Sequence, residues 1–259
     1  MPSENQDPQC TALLKSCAAS RPPPSSGFCV YTSRHRHATL ATMTMMAPCR
    51  FLSAVLCALL LAPQAFATSE AEDEYRAILK ADIDASHGRI LFEACARCHG
   101  PSGAGQSDGS VPAIAGQHFR VIARQLTDYR HDQRWDVYME HFADFPSLIF
   151  AQDVADVAGY ITGLERVGPR AQGEGGYLDH GAELYARRCA SCHGAHGEGS
   201  DNKGYPRLAG QHYPYLVRQM HDALEGRRPN FSRAHVRLLS RFDRDDIDGV
   251  ADYLSRLSP

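Results

Sequence analysis

The sequence predicts an all-α protein built from two tandem copies of one helical unit. Self-similarity is the first observation. His87-Gly-Arg-Ile-Leu-Phe-Glu-Ala-Cys-Ala-Arg-Cys-His-Gly100 returns as His180-Gly-Ala-Glu-Leu-Tyr-Ala-Arg-Arg-Cys-Ala-Ser-Cys-His-Gly194, and Pro112-Ala-Ile-Ala-Gly-Gln-His118 returns as Pro206-Arg-Leu-Ala-Gly-Gln-His212. Asp153-Val-Ala-Asp-Val-Ala-Gly-Tyr160 returns as Asp246-Ile-Asp-Gly-Val-Ala-Asp-Tyr253. The offset is 94 residues from Cys98/Cys192 through His141/His235 and then slips to 93, the mark of a duplicated segment. The second observation is that apolar residues recur with helical spacing, and the third is that no alternating run is long enough for a sheet.

In chain order, residues 1–67 read as an unstructured extension followed by a secretory signal. Arg21-Pro-Pro-Pro-Ser-Ser-Gly27 has no periodicity, and Met43, Met45 and Met46 just before Arg50 suggest an internal translation start. Arg50 then leads into the apolar run 51–62, and Ala65-Phe66-Ala67 supplies the small residues of a cleavage site after Ala67. The run is shorter than the roughly 20 apolar residues of a membrane span, so no transmembrane segment is expected after cleavage. Cys10, Cys17, Cys29, Cys49 and Cys57 all precede that site. The first domain is expected over 75–167 and the second over 177–259, joined by the glycine-rich stretch 168–176. Each begins with a helix running into a cysteine pair and continues through a glycine-rich loop, 100–109 or 194–204. A middle helix follows, over 117–131 or 211–225. An amphipathic helix, over 151–164 or 244–257, closes the unit.

Composition bounds the function. The chain has 259 residues and a formal charge of −3, with 43% hydrophobic residues, as in an ordinary globular protein. The first unit (68–167) carries 9 basic and 16 acidic residues and the second (168–259) carries 13 and 12, an asymmetry that can orient the molecule on a charged partner. No strongly basic face is indicated, which argues against nucleic-acid binding.

Cys95-Ala-Arg-Cys98-His99 and Cys189-Ala-Ser-Cys192-His193 have the spacing of c-type haem attachment. Two thiols three residues apart on a helical turn reach the two vinyl groups of one porphyrin, and the adjoining imidazole is then directed at the iron as proximal ligand. Two covalently bound haem c groups are therefore expected. A shared zinc site would leave each pair's own loop and helices unexplained. Redox disulfides would want a βαβ context that is missing, and structural disulfides leave the paired histidines without a role.

With these motifs in place, the region from about 75 to 259 resembles the dihaem cytochromes c4, two-domain class I cytochromes c. The resemblance rests on Cys-x-x-Cys-His-Gly, Pro-x-[Ile/Leu]-Ala-Gly-Gln-His and the closing Asp-x-x-x-Val-Ala-x-Tyr. It implies two class I cytochrome c folds in tandem. It also implies that Gly88, Phe92 and Tyr160, and likewise Gly181, Tyr185 and Tyr253, pack at a crossing of first and last helices. The carbonyls of Pro112 and Pro206 would accept the proximal histidine N–H, fixing the imidazole from behind.

The family supplies a distal methionine about eleven residues before the Asp of the last helix, and here the sequence departs. His235 stands 11 residues before Asp246, and His141 stands 12 before Asp153 and aligns with His235 without a gap. His141 and His235 are therefore the expected distal ligands, with Met139 the alternative in the first domain. His118 and His212 are open to a haem-edge, packing or surface role. The function expected is a periplasmic electron carrier, not an enzyme, working between redox protein partners such as a dehydrogenase or a terminal oxidase in a respiratory chain. A cytochrome subunit of a flavoprotein dehydrogenase, or a haem enzyme (a peroxidase or sulfur-compound dehydrogenase), remains the alternative.

Overall fold

The computed structural model describes residues 70–144, 146–168 and 170–258; the expected signal, its cleavage site and the first five cysteines lie outside them. Among the described residues ten helices follow one another: α1 over 70–78, α2 Ala85–His99, α3 Phe119–Arg130, α4 Val137–Ala143, α5 Ala151–Gly163, α6 Leu178–Arg188, α7 Ala190–His193, α8 Tyr213–Leu224, α9 Arg233–Leu239 and α10 Arg244–Arg256. Among the described residues no strand forms, and the sole sheet-like contact is the bridge between Ser200 and Tyr205. The all-α, two-unit expectation holds. The middle and last helices fall within two residues of their expected bounds. Helices α1, α4 and α9 were not foreseen, because short helices of about two turns carry too little periodicity to read.

Each unit buries its own core. In the first, Phe92 of α2, Ile122 and Leu126 of α3, and Val154, Val157 and Ile161 of α5 come together. In the second, Leu184 and Tyr185 of α6 meet Leu216 of α8 and Val250 and Leu254 of α10. The first and last helices cross at glycine. A Cβ on Gly88 would lie 2.0 Å from the Asp156 carbonyl oxygen, and one on Gly181 2.0 Å from that of Gly249. Aromatic pairs flank both crossings, Phe92–Tyr160 with centroids 5.3 Å apart and Tyr185–Tyr253 at 5.6 Å. The residues that the resemblance placed at this crossing do meet there.

Local signals fix the helix ends. The Asp84 carboxylate caps α2 by accepting from the Ser86 and His87 N–H groups. Asp243 and Asp246 form a reciprocal capping box on α10. The helix entering the second cysteine pair is interrupted at Cys189, whereas α2 runs unbroken through Cys95 and Cys98. The second repeat has one more residue between its histidine and first cysteine. An extra residue in an unbroken helix would rotate the motif by about 100°, and the interruption restores its aim.

The two units join through matching parts of the repeat. Gln117 and Gln211 each reach into the other unit's Pro-x-x-Ala-Gly-Gln-His loop. His118 Nε2 donates to the Glu198 carbonyl, and His212 Nε2 to that of Ala104, both at 2.8 Å. These two histidines thus serve the interface between units. Arg166, which drew no notice in the sequence, donates to the repeat-related carbonyls of Ala115 (2.9 Å) and Ala209 (2.8 Å) and so staples the two loops together. Repeat-related Arg134 and Arg228 both donate to the side-chain oxygen of Gln125.

Candidate cofactor sites

Helix α2 carries Cys95 half-buried and Cys98 exposed, with His99 turned inward at 5% exposure. In the second unit Cys189 is half-buried, Cys192 exposed, and His193 9% exposed. All four thiols are free. Burial pushes the Cys95 and Cys189 thiols up to about 11, the reverse of the depressed value that marks a redox-active or zinc-binding thiolate. Among the described residues no three His, Cys, Asp or Glu side chains converge as metal ligands, so the pairs do not build a shared zinc site.

Each histidine is held from behind by a proline carbonyl. His99 Nδ1 lies 2.9 Å from the Pro112 oxygen, and His193 Nδ1 lies 3.1 Å from that of Pro206. A carbonyl only accepts, so Nδ1 carries the proton and Nε2 keeps its lone pair available to a metal. Burial holds both imidazoles below their ordinary pKa, which keeps them neutral and able to bind a metal.

The second pocket contains a partner for His193. The His235 ring on α9 faces it at a centroid distance of 6.2 Å and an interplanar angle of 44°. An imidazole nitrogen binds a first-row metal at about 2.0–2.1 Å with its ring centroid roughly 1.1 Å further, so two imidazoles on opposite faces of one metal place their centroids roughly 6.3 Å apart. The observed spacing would let both imidazoles hold one haem iron. Burial, and after it the facing His193, push His235 down to about 4. Its ring also packs against Phe231 at 4.7 Å, and the Arg228 guanidinium lies 4.4 Å from the centroid of that phenyl. Arg228 Nε is buried without a partner, a donor suited to the carboxylates at a porphyrin edge.

The first pocket departs from the expectation. His141 is exposed, its ring set edge-on to Phe142, whereas Met139 is half-buried against the first core. The helix caps explain the difference. Asp136 caps α4 and accepts from the Met139 N–H at 3.1 Å; Ser232 caps α9 and accepts from the His235 N–H at 3.2 Å. Met139 and His235 are therefore both third in their helices after the cap, and the gap-free alignment that paired His141 with His235 is two residues out of structural register. Cap residues three positions upstream were the signal in the sequence that marks this equivalence.

The pattern described for cytochrome c matches twice, over residues 85–165 and 178–258. The chain belongs to the cytochrome c family. It consists of two tandem cytochrome c domains, carries two covalently bound haem c groups, and is a c-type cytochrome of electron transfer. It is 29% identical to cytochrome c4 of Azotobacter vinelandii over 195 residues, 67% of this chain and 89% of that protein. The crystal structure of reduced recombinant cytochrome c4 from Pseudomonas stutzeri matches with a TM-score of 0.60 at 24% identity, covering 68% of this chain and all of that one, which supports the shared fold. Thiosulfate dehydrogenase from Marichromatium purpuratum matches 68% of this chain over 40% of its own length, at a TM-score of 0.58 and 27% identity.

Proposed function

We propose that the chain is an exported, periplasmic electron shuttle whose two irons differ in coordination: His99 and Met139 in the first domain, His193 and His235 in the second. The facing His193 and His235 rings carry this reading. The haem iron supplies a reversible one-electron change. The cysteines anchor each porphyrin, Pro112 and Pro206 fix the orientation of the histidines, and the buried cores shield the iron from water. Methionine ligation raises the reduction potential, so the first domain is expected to be the higher-potential one and to hold the electron longer. Redox proteins such as a dehydrogenase or a terminal oxidase are the proposed donor and acceptor.

Near-infrared magnetic circular dichroism of the oxidised, haem-loaded protein tests the coordination. One His/Met band and one bis-His band of equal haem content are expected; two bis-His bands would return His141 to the first iron. The likeness to thiosulfate dehydrogenase favours one second reading, a sulfur-compound dehydrogenase, which needs a site at which iron is open or its ligand displaceable. A high-spin signal together with thiosulfate-dependent reduction would establish that reading over the carrier. Export is tested by N-terminal sequencing of the mature protein from the periplasmic fraction. The expected first residue is Thr68, and a chain retaining residues 51–67 would show an uncleaved anchor instead.

A further inference from the structure

We propose that each domain tunes the axial histidine of the other: Gln211 acts on His99 through the Pro112–Ala113 peptide, and Gln117 acts on His193 through the Pro206–Arg207 peptide. This rests on the proposed iron coordination by His99 and His193.

The argument turns on one amide in each domain. The carbonyl of Pro112 and the N–H of Ala113 belong to the same resonance-linked peptide unit. The oxygen accepts from His99 Nδ1 at 2.9 Å, and the N–H donates to Gln211 Oε1, in the other domain, at 3.0 Å. The repeat reproduces the arrangement. The Pro206 oxygen accepts from His193 Nδ1 at 3.1 Å, and the Arg207 N–H donates to Gln117 Oε1 at 2.8 Å.

The orientation of both amide side chains follows from their partners. Gln211 Nε2 donates to the Ala113 carbonyl at 2.8 Å and Gln117 Nε2 to that of Arg207 at 2.9 Å. Each Oε1 also accepts from the histidine that follows it, His212 at 2.9 Å and His118 at 3.0 Å. A flipped amide would set N–H against N–H and oxygen against oxygen. Both glutamines are buried, so water does not compete for these contacts.

Linked hydrogen bonds polarise one another. When the Ala113 N–H donates to Gln211, negative charge shifts towards the Pro112 oxygen, and that oxygen becomes a stronger acceptor for the His99 proton. A more strongly hydrogen-bonded imidazole is a better donor to its metal. Better donation favours the oxidised iron and lowers the potential. The glutamine is a positioning and tuning residue here, since it acts on the iron only through the peptide and the histidine. A purely structural clamp would change stability, or move both haems alike. The crossed wiring makes a different demand: a change in one domain must appear at the haem of the other.

The test is a spectroscopic redox titration of haem-loaded, full-length Gln211→Leu, with each haem assigned by nuclear Overhauser contacts between its methyl groups and its own domain. The first-domain haem is expected to shift to higher potential while the second stays in place, and Gln117→Leu is expected to do the reverse. A shift confined to the mutated domain's own haem, equal shifts in both, or no shift would overturn the inference. Should leucine prevent folding, the near-isosteric Gln211→Met, which offers the Ala113 N–H only a weak thioether acceptor, decides on the same sign and the same cross-assignment. Failure of the underlying coordination looks different: a His99→Ala variant that kept the low-spin spectrum of the first haem would remove His99 as ligand and the inference with it.

Discussion

His235→Ala is expected to turn one of the two haems from low spin to high spin and leave the spectrum of the other unchanged. The His235 ring sits 6.2 Å from that of His193 with its nitrogens neutral at working pH, and no second donor is placed to replace it on α9. The sole methionine of the second domain, Met220, belongs to α8 and packs against the second core. His235→Met is the complementary variant. It preserves six-coordination, exchanges imidazole for thioether, and is expected to raise the second haem's potential. In the first domain Met139→Ala is expected to produce the high-spin change, whereas His141→Ala leaves both haems as they were. Optical and electron paramagnetic resonance spectra of the four variants read these outcomes directly. A low-spin second haem in His235→Ala would show that α9 does not supply the ligand.

The contrast between His141 and Met139 shows where the sequence stopped being legible. The repeat identified both cysteine pairs, both adjoining histidines and the two prolines, because these lie in segments of constant offset: Pro112 and Pro206 each follow their histidine by 13 residues. The positions expected to supply the distal ligands lie in the variable stretch between the middle and last helices. There the side chain's aim is set by where a two-turn helix begins, and two residues' difference turns it by about 200°. Aligning residues without a gap preserved the sequence count and lost the helical phase. Aligning the caps, Asp136 with Ser232, restores it.

The interface was illegible for another reason. Gln117, His118, Gln211 and His212 stand out in the repeat, yet nothing in a linear sequence tells whether a recurring polar residue faces the cofactor, the solvent or the other copy. Duplication supplies the missing logic. When two copies of one loop pack against each other, the same residue serves both sides, and each Gln meets the backbone beside the other domain's proline. Arg166 has no counterpart of this kind. It lies beyond the last helix of the first domain and meets both loops at once, so neither periodicity nor repetition signals it.

Gly181→Ala is expected to destabilise the second domain by about 3 kcal/mol or more, at the upper end of the overpacking range, and to lower its melting temperature by roughly 10 °C or more. On an exposed helix the same substitution would stabilise by about 1 kcal/mol, because alanine restricts the unfolded chain and favours the helix. The sign of the effect is therefore the test. The new Cβ would lie 2.0 Å from the Gly249 carbonyl oxygen and 2.8 Å from the Val250 nitrogen, backbone atoms of α10 that have no rotamer to change. Relief requires α6 and α10 to separate, which parts the Tyr185–Tyr253 pair and opens the core around Leu184 and Val250. Moving α6 also displaces the chain leading into Cys189 and His193, so reduced haem incorporation is expected alongside lower stability. Gly88→Ala meets the Asp156 carbonyl at the same 2.0 Å and should behave alike in the first domain. Gly163, at the end of α5, has nothing within 4 Å of its would-be Cβ, and Gly163→Ala is expected to be neutral or stabilising. Thermal unfolding of the three haem-loaded variants, followed by far-ultraviolet circular dichroism, measures all of these at once. An unchanged melting temperature for Gly181→Ala would mean that the helix crossing has the freedom to widen, and that close backbone contact is not what holds the first and last helices together.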